Sequence, residues 1–216
     1  MFIKKIKQDI AESLKVKDLL LNDDVTINLI NEIAEACIHS IKKGGKVIFC
    51  GNGGSFSDAQ HLSAEFTGKY AFDRDPLASI VLGANSSSIS AIGNDYGFEN
   101  VFSRELEAVG KPEDLLIGIT TSGNSKNVIK AIETAKSMEI KTYIFTGISG
   151  GDTQSIAACL NVPSTVTARV QECHIMIGQI ICGIVEEYFF TKSLDPFSTS
   201  VKFISSIIII APSFKK

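Results

Sequence analysis

The sequence contains no tryptophan, only five prolines and three histidines, and no marked excess of either charge. Its 21 basic and 24 acidic residues leave a formal net charge of -3, without the basic surface typical of nucleic-acid-binding domains. We therefore expect no nucleic-acid partner. A hydrophobic share of 44% with few prolines excludes disordered and collagen-like chains. At 216 residues, the chain suits one sizeable α/β domain rather than two.

The signals of disulfide bonding and secretion are also missing. The cysteines are odd in number, lie in apolar surroundings and form no CxxC pair; they are Cys37, Cys50, Cys159, Cys173 and Cys182. We interpret them as reduced core residues, with disulfides or metal ligation as the alternative. Residues 1–21 mix apolar residues at helical intervals with charged ones, unlike the unbroken apolar region of a signal peptide. The sequence therefore predicts an amphipathic N-terminal helix and a cytoplasmic protein.

From residue 26 onward, amphipathic segments alternate with short apolar runs. The pattern predicts helices at 26–43, 55–68, 86–92, 99–109, 125–139 and 168–190, and strands at 46–51, 78–83, 115–120, 141–147 and 159–163. Nearly continuous apolar runs are typical of strands buried on both faces of a parallel sheet. The predicted fold class is therefore α/β, with a doubly wound, flavodoxin-like, five-stranded parallel sheet flanked by helices.

Two predicted strand-to-helix loops have unusual compositions. The first, residues 51–55 (GNGGS), can bring backbone N–H groups and a helix N-terminus close to an anion. The second, residues 120–125 (TTSGNS), can surround a phosphate with hydroxyl groups. Neither fits GxxxxGK[ST], so a nucleoside triphosphate is not expected. A tight turn and a helix cap are the ordinary alternatives, but two such loops beyond the strands of one sheet favour a phosphate site.

His61 and Glu65 lie four residues apart on the helix that follows the first loop, so they share one helix face. An exposed pair of this kind contributes only tenths of a kcal/mol to stability, which is the ordinary interpretation. The neighbouring candidate phosphate loop favours a second one, in which the carboxylate transfers a proton on a sugar phosphate.

Four segments in order resemble the sugar isomerase (SIS) domain family and, within it, the phosphoheptose isomerases. They are GNGGSFSDAQHLSAEFTGKY (51–70), AIGNDYGFENVFSR (91–104), LLIGITTSGNSKNVIKAI (115–132) and RVQECH (169–174). The resemblance extends from about residue 5 to residue 190. It implies an isomerase that interconverts sedoheptulose 7-phosphate and D-glycero-D-manno-heptose 7-phosphate for lipopolysaccharide or capsule synthesis. It also implies a homotetramer with active sites at subunit interfaces and one zinc ion per site.

The resemblance assigns roles to individual residues. The implied substrate contacts are Asn52, Gly53, Gly54, Ser55, Glu65, Asn94, Asp95, Thr120, Thr121, Ser122, Ser125 and Gln171, with the hydroxyls of Thr120, Thr121, Ser122 and Ser125 holding the phosphate. The implied zinc positions are His61, Glu65, Gln171 and Gln179, and Glu65 is the implied base. Aldose–ketose isomerisation through an enediol needs a base, a proton donor and stabilisation of an oxyanion, but no redox cofactor. Zinc can provide that stabilisation as a Lewis acid.

One position departs from the family pattern. The family has a histidine eight residues after the zinc-site glutamine, as metal ligand and general acid, where this chain has Gln179. An amide oxygen is a weaker zinc ligand than imidazole, and an amide does not deliver a proton near neutral pH. Zinc occupancy and turnover are therefore in question. His174 matches another family position, and we expect it to be packed on the helix rather than to replace the acid, a role that water or the zinc can also fill.

The departure keeps other functions open. A related SIS protein binds the bacterial replication initiator, and it lacks both this histidine and the catalytic glutamate. Glu65 and the full GNGGS loop favour an enzyme here, although a non-catalytic sugar-phosphate-binding or regulatory protein is the alternative. A different sugar phosphate is a further alternative for the substrate.

The predicted organisation has three segments. Residues 1–45 form N-terminal helices that pack on the domain and at an oligomer interface, and residues 46–190 form the SIS domain. Residues 191–216 are an extension of unknown role. Its apolar run, residues 203–211, is shorter than the roughly 20 residues that span a bilayer, so no membrane span is expected. An added strand, an interface segment, an aggregation-prone tail and a membrane-touching tail stay open.

Overall fold

A computed structural model of the chain describes residues 2–191. Nearly all of the predicted extension at 191–216 therefore lies outside the described residues, and the alternatives given for its role stay open.

The helices and strands follow the predicted alternation. The helices are α1 (Ile3–Leu21), α2 (Asp24–Lys42), α3 (Gly54–Thr67), α4 (Ser86–Tyr96), α5 (Val101–Val109), α6 (Lys126–Ser137) and α7 (Thr167–Phe190). The strands are β1 (Val47–Gly51), β2 (Ser79–Val81), β3 (Leu115–Ile119), β4 (Lys141–Thr146) and β5 (Ala158–Asn161). Most bounds agree with the prediction to within two residues, and two differences have a clear local cause or extent. The strand β2 is shorter because the chain turns at Gly83, which has a φ of 88°, and α4 continues four residues further than its apolar pattern indicates.

The described strands form one parallel sheet in the order β2-β1-β3-β4-β5. Every neighbouring pair is parallel, with Val47 beside both Ser79 and Leu115. This order is that of flavodoxin-like doubly wound sheets, so the predicted fold class is confirmed. The two central strands β1 and β3 are buried along their whole length, which explains their nearly continuous apolar sequences.

Helices cover both faces of the sheet. On one face, residues of α2, α3 and α7 form a buried cluster that includes Ile33, Leu62 and Ile177. On the other face, residues of α5 and α6 pack around Leu106 and Ile132. The carboxyl ends of the five parallel strands therefore lie at one edge of the sheet, between the two helical layers. The loops that leave neighbouring strands meet there.

The helix α7 is long and apolar enough to cross a membrane, judged by length and composition alone. Val170, Ile177 and Val185 of this helix are buried in the core of the described residues. A core helix of a soluble domain passes the same test, so this feature is weak evidence for a membrane span.

The cysteines are free, as predicted, and four of them lie in the core, whereas Cys159 is only partly buried. The buried ones are Cys37, Cys50, Cys173 and Cys182. Burial raises the pKa of the Cys50 thiol to about 12, so this thiol stays protonated and unreactive near neutral pH.

His174 lies fully buried on α7, as expected. Its Nε2 atom is 3.0 Å from the carbonyl oxygen of Thr146 at the end of β4, and its ring packs against Phe145. Burial lowers the pKa of His174 to about 4, although the hydrogen bond to Thr146 opposes this shift. The imidazole is therefore neutral near neutral pH and ties α7 to the sheet instead of acting as the missing acid.

We predict that His174 makes stability depend on pH. The unfolded chain takes up this proton near pH 6.5, whereas the folded chain resists protonation down to about pH 4. Acidification through this window should therefore remove roughly 3 kcal/mol of the free energy of unfolding. Chemical denaturation at pH 7.5, 6, 5 and 4 measures it. The difference between the wild-type protein and His174→Gln should vary with pH through this window; parallel curves would refute the prediction.

Candidate active site

The first glycine-rich loop joins β1 to α3 by a tight turn. The N–H of Ser55 donates to the carbonyl oxygen of Asn52 at 3.0 Å. Gly53 has a φ of 56° and a ψ of -120°, a conformation open only to glycine. At Gly51, a Cβ atom would overlap the backbone of Ser55. The loop therefore needs its glycines, and it presents the N-terminus of α3, whose first N–H groups lack helical partners.

The second loop joins β3 to α6 in the equivalent way. The hydroxyls of Thr120 and Ser125 lie 3.0 Å apart, and the Ser122 hydroxyl accepts a hydrogen bond from the Asn124 N–H at 3.1 Å. Gly123 has a φ of 69° and sits directly against the backbone of Gly150. The predicted hydroxyl groups thus gather at the N-terminus of α6, where neutral donors and the helix end can meet an anion.

A pair of asparagines joins the two loops. Asn52 and Asn127 exchange two hydrogen bonds, of 2.9 Å from Asn52 Nδ2 to Asn127 Oδ1 and 2.8 Å in the other direction. Asn127 is only 3% exposed. Asn127 was not predicted as a site residue, because a polar residue in the first turn of a helix is common and indicates no particular function.

Further along α3, the predicted pair meets a third side chain. His61 Nε2 is 2.9 Å from Glu65 Oε1 and 3.3 Å from the amide nitrogen of Gln179 on α7. Close packing of the two helices makes this possible, because Leu62 of α3 lies directly against Gly178, where a Cβ would collide with it. The structure therefore brings together three of the four predicted zinc positions.

The other predicted residues lie elsewhere. Gln171 covers Gly54 at the start of α3, and its Cα is about 12 Å along the axis of α7 from that of Gln179. Asn94 and Asp95 are exposed near the end of α4, joined by a hydrogen bond of 2.7 Å. Within residues 2–191, no hydrogen bond links them to the other predicted site residues.

Comparisons with known proteins agree with this architecture. The SIS domain model matches residues 16–147. The chain is 48% identical to phosphoheptose isomerase 2 of Campylobacter jejuni over 188 residues, covering 87% of this chain and 94% of that protein. The chain belongs to the SIS-domain family, among its phosphoheptose isomerases. Solved phosphoheptose isomerases from Neisseria gonorrhoeae (TM-score 0.80, 36% identity) and Francisella tularensis (TM-score 0.82, 34% identity) each align with 87% of this chain, and with 100% and 99% of their own.

In this SIS-domain protein, the donors around His61 fit a weak zinc site. Imidazole nitrogen, carboxylate oxygen and amide oxygen are all possible zinc ligands, and the side chains of His61, Glu65 and Gln179 converge. The Gln179 amide turns its nitrogen toward His61, so it must rotate to offer its oxygen to a metal. Within the described residues, however, there is no group of three or more His, Cys, Asp or Glu side chains that would form a strong site.

One carboxylate near this face was not anticipated. Asp58 is half-buried on α3 beside the hollow that Gly54 and Gln171 line, and its Oδ2 atom has no hydrogen-bond partner among the described residues. Burial raises the pKa of Asp58, and the nearby His61 opposes that shift. The face of α3 that carries His61 and Glu65 therefore has a further carboxyl group, that of Asp58.

A buried ion pair anchors the C-terminal end of α3. Arg74 Nε lies 2.7 Å from the Glu186 carboxylate on α7, and these side chains are 2% and 1% exposed. The guanidinium also donates to the carbonyl oxygens of Glu65 and Phe66. Burial tends to raise the pKa of Glu186, but the backbone N–H groups of residues 70 and 71 and then Arg74 lower it below its usual value. This clamp was not foreseen because its partners are 112 residues apart.

We predict that Arg74→Met lowers the free energy of unfolding by about 3–5 kcal/mol, because it leaves the Glu186 carboxylate buried without its cation. Urea denaturation measures the loss. The matched control is Lys5→Met, which removes an exposed pair with Asp9 and should cost less than about 1 kcal/mol. Equal losses in the two variants would contradict the assigned role of the clamp.

Proposed function

We propose that this SIS-domain protein interconverts sedoheptulose 7-phosphate and D-glycero-D-manno-heptose 7-phosphate in heptose synthesis for lipopolysaccharide or capsule. The observation that carries the proposal is the position of Glu65, whose carboxylate is hydrogen-bonded to His61 at 2.9 Å in a chain that also has both anion-binding loops. The names of its relatives, phosphoheptose isomerases, support the same substrate. A non-catalytic binding role is less favoured because the base and its partner are both retained.

The loops after β1 and β3 bind the substrate in this proposal. The phosphate is held by Thr120, Thr121, Ser122 and Ser125, and the sugar by Asn52, Gly53, Gly54, Ser55 and Gln171. The N-termini of α3 and α6 add N–H donors and the positive ends of two helix dipoles. These donors are neutral. The proposed phosphate site therefore differs from nucleotide-binding loops, which use a lysine.

Glu65 performs the proton transfer. It removes a proton from the hydroxyl-bearing carbon next to the carbonyl while the carbonyl oxygen takes a proton from water, which gives an enediol. Glu65 then returns its proton to the former carbonyl carbon, and the neighbouring hydroxyl loses its proton to water and becomes the new carbonyl. His61 bonds to Oε1 and fixes the orientation of the carboxylate, which leaves Oε2 for the substrate. Only 19% of the Glu65 side chain is exposed, so the base works in a partly desolvated position, where electrostatic interactions are stronger than in water.

Zinc is the proposed cofactor, held by His61, Glu65 and Gln179. It would take the place of the hydrogen bond between His61 Nε2 and Glu65 Oε1, because a nitrogen that binds a metal carries no proton. When bound, it would polarise the substrate oxygens as a Lewis acid. Gln171 joins this set only if its side chain leaves Gly54 and turns along α7.

Distances along α3 support the proposal of a homotetramer with shared active sites. Glu65 follows Gly54 by eleven residues, which is about 16 Å along the helix. The carbonyl carbon and the phosphorus of the extended substrate are only about 9 Å apart, at roughly 1.2 Å per bond. In this proposal the base of one subunit serves the substrate-binding loops of another, which also gives the exposed Asn94 and Asp95 a place at the substrate. Exposed apolar residues of α1, among them Ile6, Ile10 and Leu14, suit such an interface in a cytoplasmic enzyme.

We predict that Glu65→Gln lowers the isomerisation rate by about 10²–10⁴-fold, because the amide keeps the shape of the side chain but cannot accept the proton. Proton and phosphorus NMR with sedoheptulose 7-phosphate in deuterated water measures product formation and deuterium uptake at the reacting carbons. Glu107→Gln, at an exposed position on α5, is the control and should keep the wild-type rate. Undiminished turnover in Glu65→Gln would exclude the assigned base, and no turnover in the wild-type protein would exclude the proposed reaction.

A second prediction concerns the metal. Gln179→His should raise the zinc affinity, because imidazole replaces an amide next to His61 and Glu65. Competition with a chromophoric chelator measures the affinity independently of turnover. Adding His61→Ala to this variant should abolish the gain; an affinity that does not change with Gln179→His would place the metal elsewhere.

A further inference from the structure

We propose that Asn127 is a positioning residue that fixes the orientation of the Asn52 amide toward the substrate and holds the two substrate-binding loops together. This inference rests on the proposed function for its kinetic consequences, since it treats Asn52 as a substrate contact. The pairing itself is independent of any substrate.

The two residues come from different strand-to-helix connections. Asn52 follows β1 and Asn127 lies in the first turn of α6, after β3, and these strands are neighbours in the sheet. Their amides meet in a cyclic pair with hydrogen bonds of 2.9 and 2.8 Å. Each amide is therefore held at both its oxygen and its nitrogen, and a rotation of either side chain breaks two bonds at once.

The direction of the pair is fixed by the backbone. The N–H of Val128 donates to Asn127 Oδ1 at 3.0 Å, and an N–H group can only meet an acceptor there. The amide nitrogen of Asn127 must then face Asn52 Oδ1, and the amide nitrogen of Asn52 must face Asn127 Oδ1. One N–H of Asn52 stays outside the pair, so the loop offers a substrate oxygen a donor of fixed orientation.

Replacing Asn127 by alanine removes both hydrogen bonds that orient the Asn52 amide. Asn52 is only partly buried, so without its partner it can turn to other rotamers and to water. We expect kcat/KM to fall about tenfold or more in Asn127→Ala, equivalent to the loss of one preorganised hydrogen bond in the transition state. In Asn127→Asp, the carboxylate accepts from Asn52 but cannot donate to Asn52 Oδ1, and its charge opposes the phosphate, so KM should rise.

The deciding experiment is a double-mutant cycle of Asn52→Ala and Asn127→Ala, with steady-state kinetics on sedoheptulose 7-phosphate. If Asn127 acts through Asn52, its replacement costs little further activity once Asn52 is alanine. Additive losses would overturn the proposal. Ile132→Val is the control, since it removes a buried methyl group from α6 away from the pair and should lower the melting temperature with kcat/KM unchanged. Asn127→Ser, which is uncharged and removes the amide, takes the place of Asn127→Ala in the cycle if the latter does not fold.

A readout without turnover separates this inference from the proposed function. The side-chain amide resonances of Asn52 should shift and exchange faster with water in Asn127→Ala, but stay in place in Ile132→Val. Unchanged Asn52 resonances would overturn the pairing. A wild-type protein that does not convert the substrate would instead refute the proposed function, and the resonances alone would then decide the positioning role.

Discussion

The close packing of α3 against α7 is the constraint on which the arrangement of the candidate site depends. The two helices run in the same direction, so their contacts follow one another along both helices. Gln171 covers Gly54, Leu62 packs against Gly178, and Gln179 reaches His61. A side chain at position 178 would separate the helices and move Gln179 away from His61. The buried Arg74 and Glu186 then hold the far end of the same pair of helices. Packing in the core thus decides which polar groups can act together on the surface.

Much of this architecture can be predicted from the sequence because it depends on local features. Nearly continuous apolar runs mark buried parallel strands, and the glycines at 51 and 53 mark a turn that side chains would not permit. The bonds between Asn52 and Asn127 and between Arg74 and Glu186 had no such signal. Their partners are 75 and 112 residues apart, and each residue alone is of an ordinary type for its place. Only the three-dimensional structure shows which of these polar groups are buried and paired.

Gln179 stands where the resemblance to the family implies a histidine, and this changes the chemistry beside His61. The amide nitrogen of Gln179 lies 3.3 Å from His61 Nε2, but an amide is a weaker metal ligand than imidazole and does not titrate. His174 does not compensate, because its burial keeps it neutral and its nitrogen is committed to Thr146. In the proposed mechanism, proton transfer therefore depends more heavily on Glu65 than it would with an imidazole at position 179. Asp58, half-buried on the same face of α3, has its pKa raised by burial and lowered by the nearby His61.

The proposed roles in binding and in proton transfer fall at opposite ends of one helix. The start of α3 offers N–H groups and the positive end of its dipole, which suit an anionic substrate, whereas Glu65 lies three turns further on, beyond the strongest influence of that dipole. This separation favours the proposed arrangement in which the base and the binding loops that act on one substrate molecule come from different subunits. In the proposed homotetramer, the catalytic geometry therefore depends on association.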